Sequence, residues 1–321
     1  MGALAVRRVA IIGQGHIAAA YRDVLAVFPE LVLVGVTDPK LCSTHPMSSQ
    51  LPRLVRGTED LLESDSAPDI ALICTPPAGH LEEVSPLLRA GIDVLIECPL
   101  ALTQHEAEEI TSLAERLGRV AMTAERFRVF NAVIEAKRLI DQGRIGRLAH
   151  VEATCSYKLE PSQSWAGHMN SPGGVWLAEG SDCLDVVEML AGPVEKIRML
   201  QTDYQQGTDV EDEVRVETDH GGGLGSHMHL SWNHETTAPI ARCVGETGEI
   251  LVGWAQSVLR TEEREQVIAG GFDRHDICRS LLTRFLRERQ RLEPTEDRGG
   301  QTLGWIEAAY RSLHNGHWER A

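Results

Sequence analysis

Long apolar runs are absent from this sequence. No stretch approaches the roughly 20 apolar residues that a membrane-spanning helix needs, and the N-terminal MGALAVRR lacks the charged-then-apolar order of a signal peptide. The sequence therefore predicts a cytoplasmic protein that does not use a membrane as a partner.

Positive charge and paired cysteines are scarce as well. The chain has 31 Lys and Arg against 47 Asp and Glu, a net charge of -16. This field argues against binding nucleic acid or an anionic membrane, although it leaves room for a local cationic pocket around an anionic cofactor. The seven cysteines are an odd number without a CxxC motif, so neither a disulfide framework nor a thiolate metal site is predicted.

What is present is a repeated unit in the N-terminal third. A β-branched strand at residues 9–12 runs into GQGHIA and then into a helix that is expected to reach about residue 27. Apolar strands recur at residues 31–38, 69–75 and 93–97, with an amphipathic helical segment before the last of them. Near-continuous apolar strands alternating with helices predict a doubly wound parallel sheet, covered on both faces.

The GQGHIA turn carries a GxGxxA motif in the context that a dinucleotide-binding turn requires. Gly13 permits the tight turn, and Gly15 lets the backbone approach a pyrophosphate. His16 and Ile17 follow at the start of the helix, where unpaired N–H groups bind phosphates. We predict that these four residues contact a dinucleotide.

Asp38 stands at the end of the second strand, where it would accept hydrogen bonds from the adenosine ribose. Its charge would repel a 2'-phosphate, so NAD is the predicted cofactor. Lys40 weakens that preference and keeps NADP as an alternative. A second interpretation makes Asp38 a turn residue before Pro39.

Four segments carry a resemblance to a known family: ICTPPAGH at 73–80, AGIDVLIECPLALT at 90–103, RF at 126–127 and GRIGRLAHVE at 143–152. With them the chain resembles the Gfo/Idh/MocA family of glucose-fructose oxidoreductase and inositol dehydrogenase. The resemblance implies a Rossmann domain at residues 1–123 and an α/β domain at 124–321 with a large, mostly antiparallel open sheet. That second domain would bind a small-molecule substrate and form a homodimer or homotetramer.

The C-terminal sequence itself agrees with such a sheet, because alternating segments separated by glycine-containing turns occur between residues 147 and 254. A helix is predicted to end at Gly192, before Pro193. Residues 263–294 mix charges around an apolar stripe, which predicts a surface helix facing a core.

The resemblance also implies cofactor contacts around the nicotinamide. They fall on the loop after the third long strand and on the end of the next strand: Thr75, Pro76, Pro77, His80 and Glu97.

The catalytic positions of the family are altered. The family has lysine where this chain has Cys98, and Asp and His where this chain has Ala178 and Asp182. Asp182 is either an acid/base or substrate-binding group, or a polar residue lining an idle cleft. Cys98 has three interpretations: an inert small apolar residue, a proton-handling thiol, or a covalent nucleophile. Burial or a neighbouring carboxylate such as Glu179 would raise the pKa of Asp182.

Other polar residues are weaker candidates. His168, in a loop before the altered helix, and Tyr157, at the end of a long strand, could replace the missing acid/base. His227 and His229 alternate along one strand and so share a face, with His234 just beyond it. Two histidines can contribute to a zinc site, but spacing identifies no further ligand, so no metal is predicted.

The sequence thus predicts an NAD(P)-dependent oxidoreductase that acts on a modified sugar, cyclitol or imine in specialised metabolism, with an unusual proton donor or acceptor. The alternative is a non-redox enzyme on the same scaffold, catalysing cyclisation, elimination or hydrolysis. A third interpretation is a ligand-binding protein that has kept the crevice as a sensor.

Overall fold

The computed structural model describes residues 6–37, 52–63, 67–160, 165–167, 173–291 and 298–321. It divides into two compact units. The first contains residues 1–124 and 273–300, and the second contains residues 125–272 and 301–321. The sequence predicts a single boundary after residue 123, whereas the chain in the structure returns to the first unit at residue 273.

The first unit is built on a six-stranded, fully parallel sheet with the strand order β3-β2-β1-β4-β5-β6. Apart from the edge strand β3, its strands are short and mostly apolar runs whose residues are mainly buried, as helices on both sides require. This confirms the predicted doubly wound sheet. The strands are β1 (Arg7–Ile12), β2 (Leu31–Thr37), β3 (Arg53–Val55), β4 (Ile70–Ile73), β5 (Asp93–Glu97) and β6 (Ala121–Ala124). The helices are α1 (His16–Leu25), α2 (Thr58–Leu62), α3 (His80–Arg89) and α4 (Gln104–Leu117).

Residues 263–294 differ from the prediction of one surface helix. Glu265–Gly270 form a strand, and the helix begins only at Arg274. The strand forms because its backbone pairs with the preceding hairpin strand, Gln256–Thr261. The helix, Arg274–Arg291, buries the predicted apolar stripe and packs in the first unit against α1.

The second unit is built on an eight-stranded sheet. Its strand order is β14-β13-β12-β11-β7-β10-β9-β8, and β7 and β10 form its single parallel pair among the described residues. This confirms the mostly antiparallel sheet. The strands are β7 (Leu148–Ser156), β8 (Lys196–Asp203), β9 (Glu213–Asp219), β10 (Gly225–Ser231), β11 (Ala241–Gly245), β12 (Gly248–Val252), β13 (Gln256–Thr261) and β14 (Glu265–Gly270). The helices of the chain's C-terminal part are α5 (Asn131–Asp141), α6 (Val175–Ala191), α7 (Arg274–Arg291) and α8 (Arg298–Asn315).

Helix α6 packs its apolar side against the sheet of the second unit and is the element that displays Asp182. Its start is held by Glu211, because one carboxylate oxygen of Glu211 accepts from the backbone N–H groups of Gly174 and Trp176 at 3.0 and 3.1 Å. Tyr310 donates to the same oxygen at 2.7 Å. The helix ends before Gly192, as predicted, where φ is +95°.

Strand β8 is attached to α8 by one buried hydroxyl. Ser312 Oγ accepts from the backbone N–H of Met199 at 2.8 Å and donates to the carbonyl of Ala309 at 2.6 Å. Replacement of Ser312 by Ala leaves that N–H buried without an acceptor, so we expect a loss of about 1–3 kcal/mol of unfolding free energy. Urea unfolding measures this loss.

The matched control is Thr283→Ala, which removes an exposed hydroxyl that donates to the Arg279 carbonyl of its own helix. We expect a change within about 0.5 kcal/mol for the control. Equal losses for the two variants would contradict the role given to Ser312.

No helix in the described part of the chain is long and apolar enough to cross a membrane. The six described cysteines form no disulfide with one another.

Candidate active site

Gly13 directly follows β1, at the position in the parallel sheet where β1 pairs with β4. This is the point at which the strand order reverses, and ligands of such sheets bind at the carboxyl ends of the strands there. Gly13 has φ of +106°, and a Cβ at this position would lie 2.9 Å from the carbonyl oxygen of Cys74. Its N–H donates to Thr37 Oγ1 at 3.0 Å. Glycine is therefore required here for both conformation and space.

The N-terminus of α1 begins at an exposed glycine. Gly15 is the N-cap residue and, having no side chain, makes no capping hydrogen bond to the helix. A Cβ on Gly15 would meet no described heavy atom within 4 Å, and Gly15 and His16 are exposed while Ile17 is half-buried. Helix N–H groups that point into such a space attract phosphate. The first unit thus fits the pyrophosphate of a dinucleotide.

The loop after β4 is tied to α3 by a side-chain hydrogen bond. Thr75 Oγ1 donates to Glu83 at 2.5 Å. Pro76 is exposed, and Pro77 begins a short 3-10 turn.

His80 is buried between two loops. Its two ring nitrogens lie 2.9 Å from the carbonyl oxygens of Thr75 and Leu100. Burial lowers the pKa of His80, against the effect of the two carbonyls. His80 therefore fastens the Thr75 loop to the chain beyond β5, and we expect its predicted effect on cofactor binding to act through Thr75.

Glu97 and Cys98 follow one another at the end of β5, and both are half-buried. The peptide bond from Cys98 to Pro99 is cis. The roles predicted for Glu97 and Cys98 stay predictions. Asp38 and His168 lie outside the described residues, so the ribose contact and the alternative acid/base also stay predictions.

The second unit brings Asp182 into a cluster of polar side chains. Asp182 and Glu179 are three residues apart on α6 and so lie on one helical face. Arg126, in the 3-10 turn Arg126–Arg128, forms an ion pair with Asp182, and its Nη2 lies 3.6 Å from Glu179 Oε2. Tyr157 Oη donates to Glu179 Oε1 at 2.5 Å. We call these four residues the Asp182 cluster.

Burial raises the pKa of two members of the Asp182 cluster, Asp182 and Tyr157. It raises the pKa of Asp182, whose side chain is 12% exposed, while Arg126 lowers the pKa and Glu179 raises it. Burial and the Glu179 charge, the two causes named from the sequence, thus both raise this pKa, and burial is the larger of the two. Burial and the Glu179 charge also raise the pKa of Tyr157, which therefore stays protonated and donates to Glu179.

A small apolar pocket adjoins this cluster within the second unit. Asp182 and Arg126 contribute its polar groups, and its walls include Ala153, Ile240 and Trp254. Apolar walls lower the local dielectric and so strengthen the interaction between the two charged groups.

Part of this cluster was predicted from the sequence. The sequence predicted Asp182 and Tyr157 as separate candidates and named Glu179 as a neighbour, but it gave no role to Arg126. The available signal was the RF motif at 126–127, whose arginine is 56 positions before Asp182.

Two family models match this chain. Residues 7–125 match the model described as the oxidoreductase family with an NAD-binding Rossmann fold, and residues 133–251 match the Gfo/Idh/MocA C-terminal domain. The chain is thus built on an NAD-binding Rossmann domain, as predicted. It belongs to the Gfo/Idh/MocA oxidoreductase family.

Among its relatives, trans-1,2-dihydrobenzene-1,2-diol dehydrogenase of Oryctolagus cuniculus is 29% identical over 67% of this chain and 66% of its own length. The 2,7-anhydro-N-acetylneuraminate hydratase of Mediterraneibacter gnavus is 26% identical over 57% of this chain. The chain spans about half the length of the latter, 49%.

Levoglucosan dehydrogenase, solved with NADH and levoglucosan, has the same fold. The two structures superpose with a TM-score of 0.78 at 17% sequence identity, and the match covers 97% of this chain and 98% of the levoglucosan dehydrogenase chain.

Proposed function

We propose that the protein is an NAD-dependent oxidoreductase of a small cyclic diol or polyol, in which Asp182 transfers the proton. The observation that carries this proposal is the ion pair between buried Asp182 and Arg126, beside a Glu179 carboxylate that is bound by Tyr157. NAD, when bound, supplies the hydride acceptor or donor. The open N-terminus of α1 binds its pyrophosphate through backbone N–H groups.

Asp182 suits general base catalysis better than an exposed aspartate does. Its pKa is raised above the ordinary value, which makes the carboxylate a stronger base. Arg126 opposes that rise, because its positive charge favours the carboxylate form over the carboxylic acid. In the oxidation direction Asp182 accepts the hydroxyl proton, and in the reduction direction its carboxylic acid returns the proton.

Tyr157 and Glu179 position this pair. The Tyr157 hydroxyl occupies one oxygen of Glu179, and the other oxygen lies near Arg126. The guanidinium is therefore held between two carboxylates and directed at Asp182.

The named relatives support the substrate class. The rabbit relative is a dehydrogenase of a cyclic diol, and the structural neighbour was solved with levoglucosan, a compound that its dehydrogenase is named for. The experiment is a panel of cyclic vicinal diols, cyclitols and anhydrosugars with NAD, followed by the absorbance of NADH. We expect stoichiometric NADH formation with at least one of them. Failure of every compound, together with no NADH binding in a fluorescence titration, would contradict the proposal.

Replacement of Arg126 by Met tests the electrostatic part of this assignment. Because Arg126 lowers the pKa of Asp182, its removal raises that pKa further. We expect the alkaline-rising limb of the kcat profile for oxidation to move to higher pH, and kcat at neutral pH to fall about tenfold. The measurement is kcat against pH for the oxidation reaction.

Arg198→Met is the matched control for this variant. Arg198 has the same exposed fraction, 35%, and pairs with Glu217 at 2.7 Å outside the Asp182 cluster. Its pH profile is expected to match that of the wild-type protein. An unshifted profile for Arg126→Met would remove Asp182 as the titrating base.

A second candidate function is a lyase or hydratase reaction without net redox change. It is favoured by two neighbouring carboxylates, Asp182 and Glu179, which could remove and return a proton, and by the relative named as a hydratase. In a lyase or hydratase reaction, product would accumulate without net formation of NADH. In deuterated water, deuterium would enter the carbon skeleton of the product. Stoichiometric, steady NADH formation would exclude this alternative.

A further inference from the structure

A second group of ligating side chains lies on the sheet of the second unit, on strands β9 and β10. Their antiparallel register places Ser231 directly opposite Glu213. His229, two residues before Ser231, points to the same face of the sheet because side chains alternate along a strand. The chain then turns after β10 and brings His234 back over this face.

The three ligand atoms of Glu213, His229 and His234 lie within 4.8 Å of one another. In the part of the chain that the structure describes, this is the one group of three such side chains that meets this distance. His229 Nε2 is 2.9 Å from Glu213 Oε1. Two ligands of a tetrahedral zinc ion are separated by about 3.3 Å, given Zn–N and Zn–O bonds near 2.0–2.1 Å, so a small movement admits the ion.

Glu213 is held as an oriented ligand. Its other oxygen accepts from Ser231 Oγ at 2.9 Å, and the carboxylate side chain is only 9% exposed. Such outer hydrogen bonds fix the orientation of metal-binding carboxylates. The nearest described cation, Arg215, has its Nη2 4.0 Å from Glu213 Oε1 and a side chain 55% exposed, so it can turn into solvent when a metal ion arrives.

The loop that carries His234 is also fixed. The backbone N–H of Asn233 donates to Ser231 Oγ at 3.1 Å, and its Nδ2 donates to Asp212 at 2.9 Å. Ser156 Oγ donates to the His234 carbonyl at 2.6 Å. These contacts place the exposed His234 ring near His229, with ring centroids 6.1 Å apart, before any ion binds.

We propose that Glu213, His229 and His234 form a binding site for one divalent transition-metal ion, with Zn²⁺ as the best match. Two imidazoles and one carboxylate select zinc-like ions over Mg²⁺ and Ca²⁺, which prefer oxygen ligands. On binding, the hydrogen bond between His229 and Glu213 is replaced by two bonds to the metal, and the proton of His229 Nε2 moves to Nδ1 or is released to solvent. The exposed side of the site leaves a fourth position for water or another ligand. The sequence predicted no metal because spacing alone cannot pair Glu213 with the histidines.

The test is calorimetric titration of the chelator-treated full chain with Zn²⁺, repeated with Mg²⁺. We expect one Zn²⁺ per chain, at least tenfold weaker binding for His234→Ala, and no comparable binding of Mg²⁺. His234 is exposed, so this variant is expected to keep its fold. Glu213→Gln should weaken binding as strongly, and zinc should raise the Tm of the wild-type protein but not of either variant.

His227→Ala is the matched control. His227 lies on the same face of β10 and pairs with Glu217 at 3.0 Å, but it is not part of the proposed site. Zinc affinity within twofold of wild type for this variant supports the assignment. Absence of stoichiometric binding, or equal loss in His227→Ala and His234→Ala, would overturn it.

Discussion

Replacement of Asp182 by Asn is expected to lower kcat at least about 100-fold, because general acid–base groups contribute about 10²–10⁴ to enzyme rates. Asparagine has the same shape but cannot accept and release the proton. Cofactor affinity should be unchanged, since the pyrophosphate site is formed by backbone at the N-terminus of α1. The measurements are steady-state kinetics with a compound from the diol panel and a fluorescence titration with NADH.

Glu188→Gln is the control for this prediction. Glu188 lies on α6, six residues after Asp182, and accepts from the Val194 N–H at 3.4 Å. We expect its kcat to stay within about twofold of wild type. If Asp182→Asn turned over at the wild-type rate while His168→Ala did not, the proton role would belong to His168.

A second readout for Asp182 does not need a substrate. The pKa of Asp182 is raised in the folded protein above its ordinary value of 3.8. At pH values between 3.8 and this raised pKa, Asp182 keeps its proton in the folded chain and has released it in the unfolded chain. The free energy of unfolding therefore falls as pH rises through this range. An asparagine side chain does not titrate, so Asp182→Asn should lack this contribution to the pH dependence of the unfolding free energy. Urea unfolding at a series of acidic pH values measures that dependence.

The fold of the first unit could be predicted because its signals are local. A strand, a glycine turn and a helix follow one another within about twenty residues, and each is specified by its own composition. Gly13 illustrates this: the sequence alone requires a glycine there, and the structure supplies the reason in the nearby Cys74 carbonyl.

The pairing of Arg126 with Asp182 was not predictable in the same way. Their side chains meet only after a 3-10 turn packs against α6, and no spacing rule relates positions so far apart. By contrast, Glu179 and Asp182 are one helical turn apart, so sequence alone placed them together. The site is thus predictable where its residues share a helix and hidden where they come from different elements.

Strand β14 shows the same limit in the fold. Glu265–Gly270 combines one charged residue, Glu265, with two β-branched residues, and read alone it continued the amphipathic pattern of the helix beyond it. What makes it a strand is pairing with β13, together with Gly270 and Gly271 before the helix begins. Pairing partners are properties of the folded chain, so periodicity alone gave the wrong element here.

Gly13→Ala is expected to weaken cofactor binding with the fold retained. Alanine at φ of +106° is strained by about 1–3 kcal/mol, and its Cβ would lie 2.9 Å from the Cys74 carbonyl. Relief of this contact requires the turn to move away from β4, which shifts the N–H groups that bind the pyrophosphate. We expect at least a tenfold rise in the NADH Kd, measured by fluorescence titration, and a lower Tm. Gly57→Ala, at an N-cap in the same unit where a Cβ meets no described atom within 4 Å, should change neither. Unaltered NADH affinity in Gly13→Ala would mean that this turn does not position the dinucleotide.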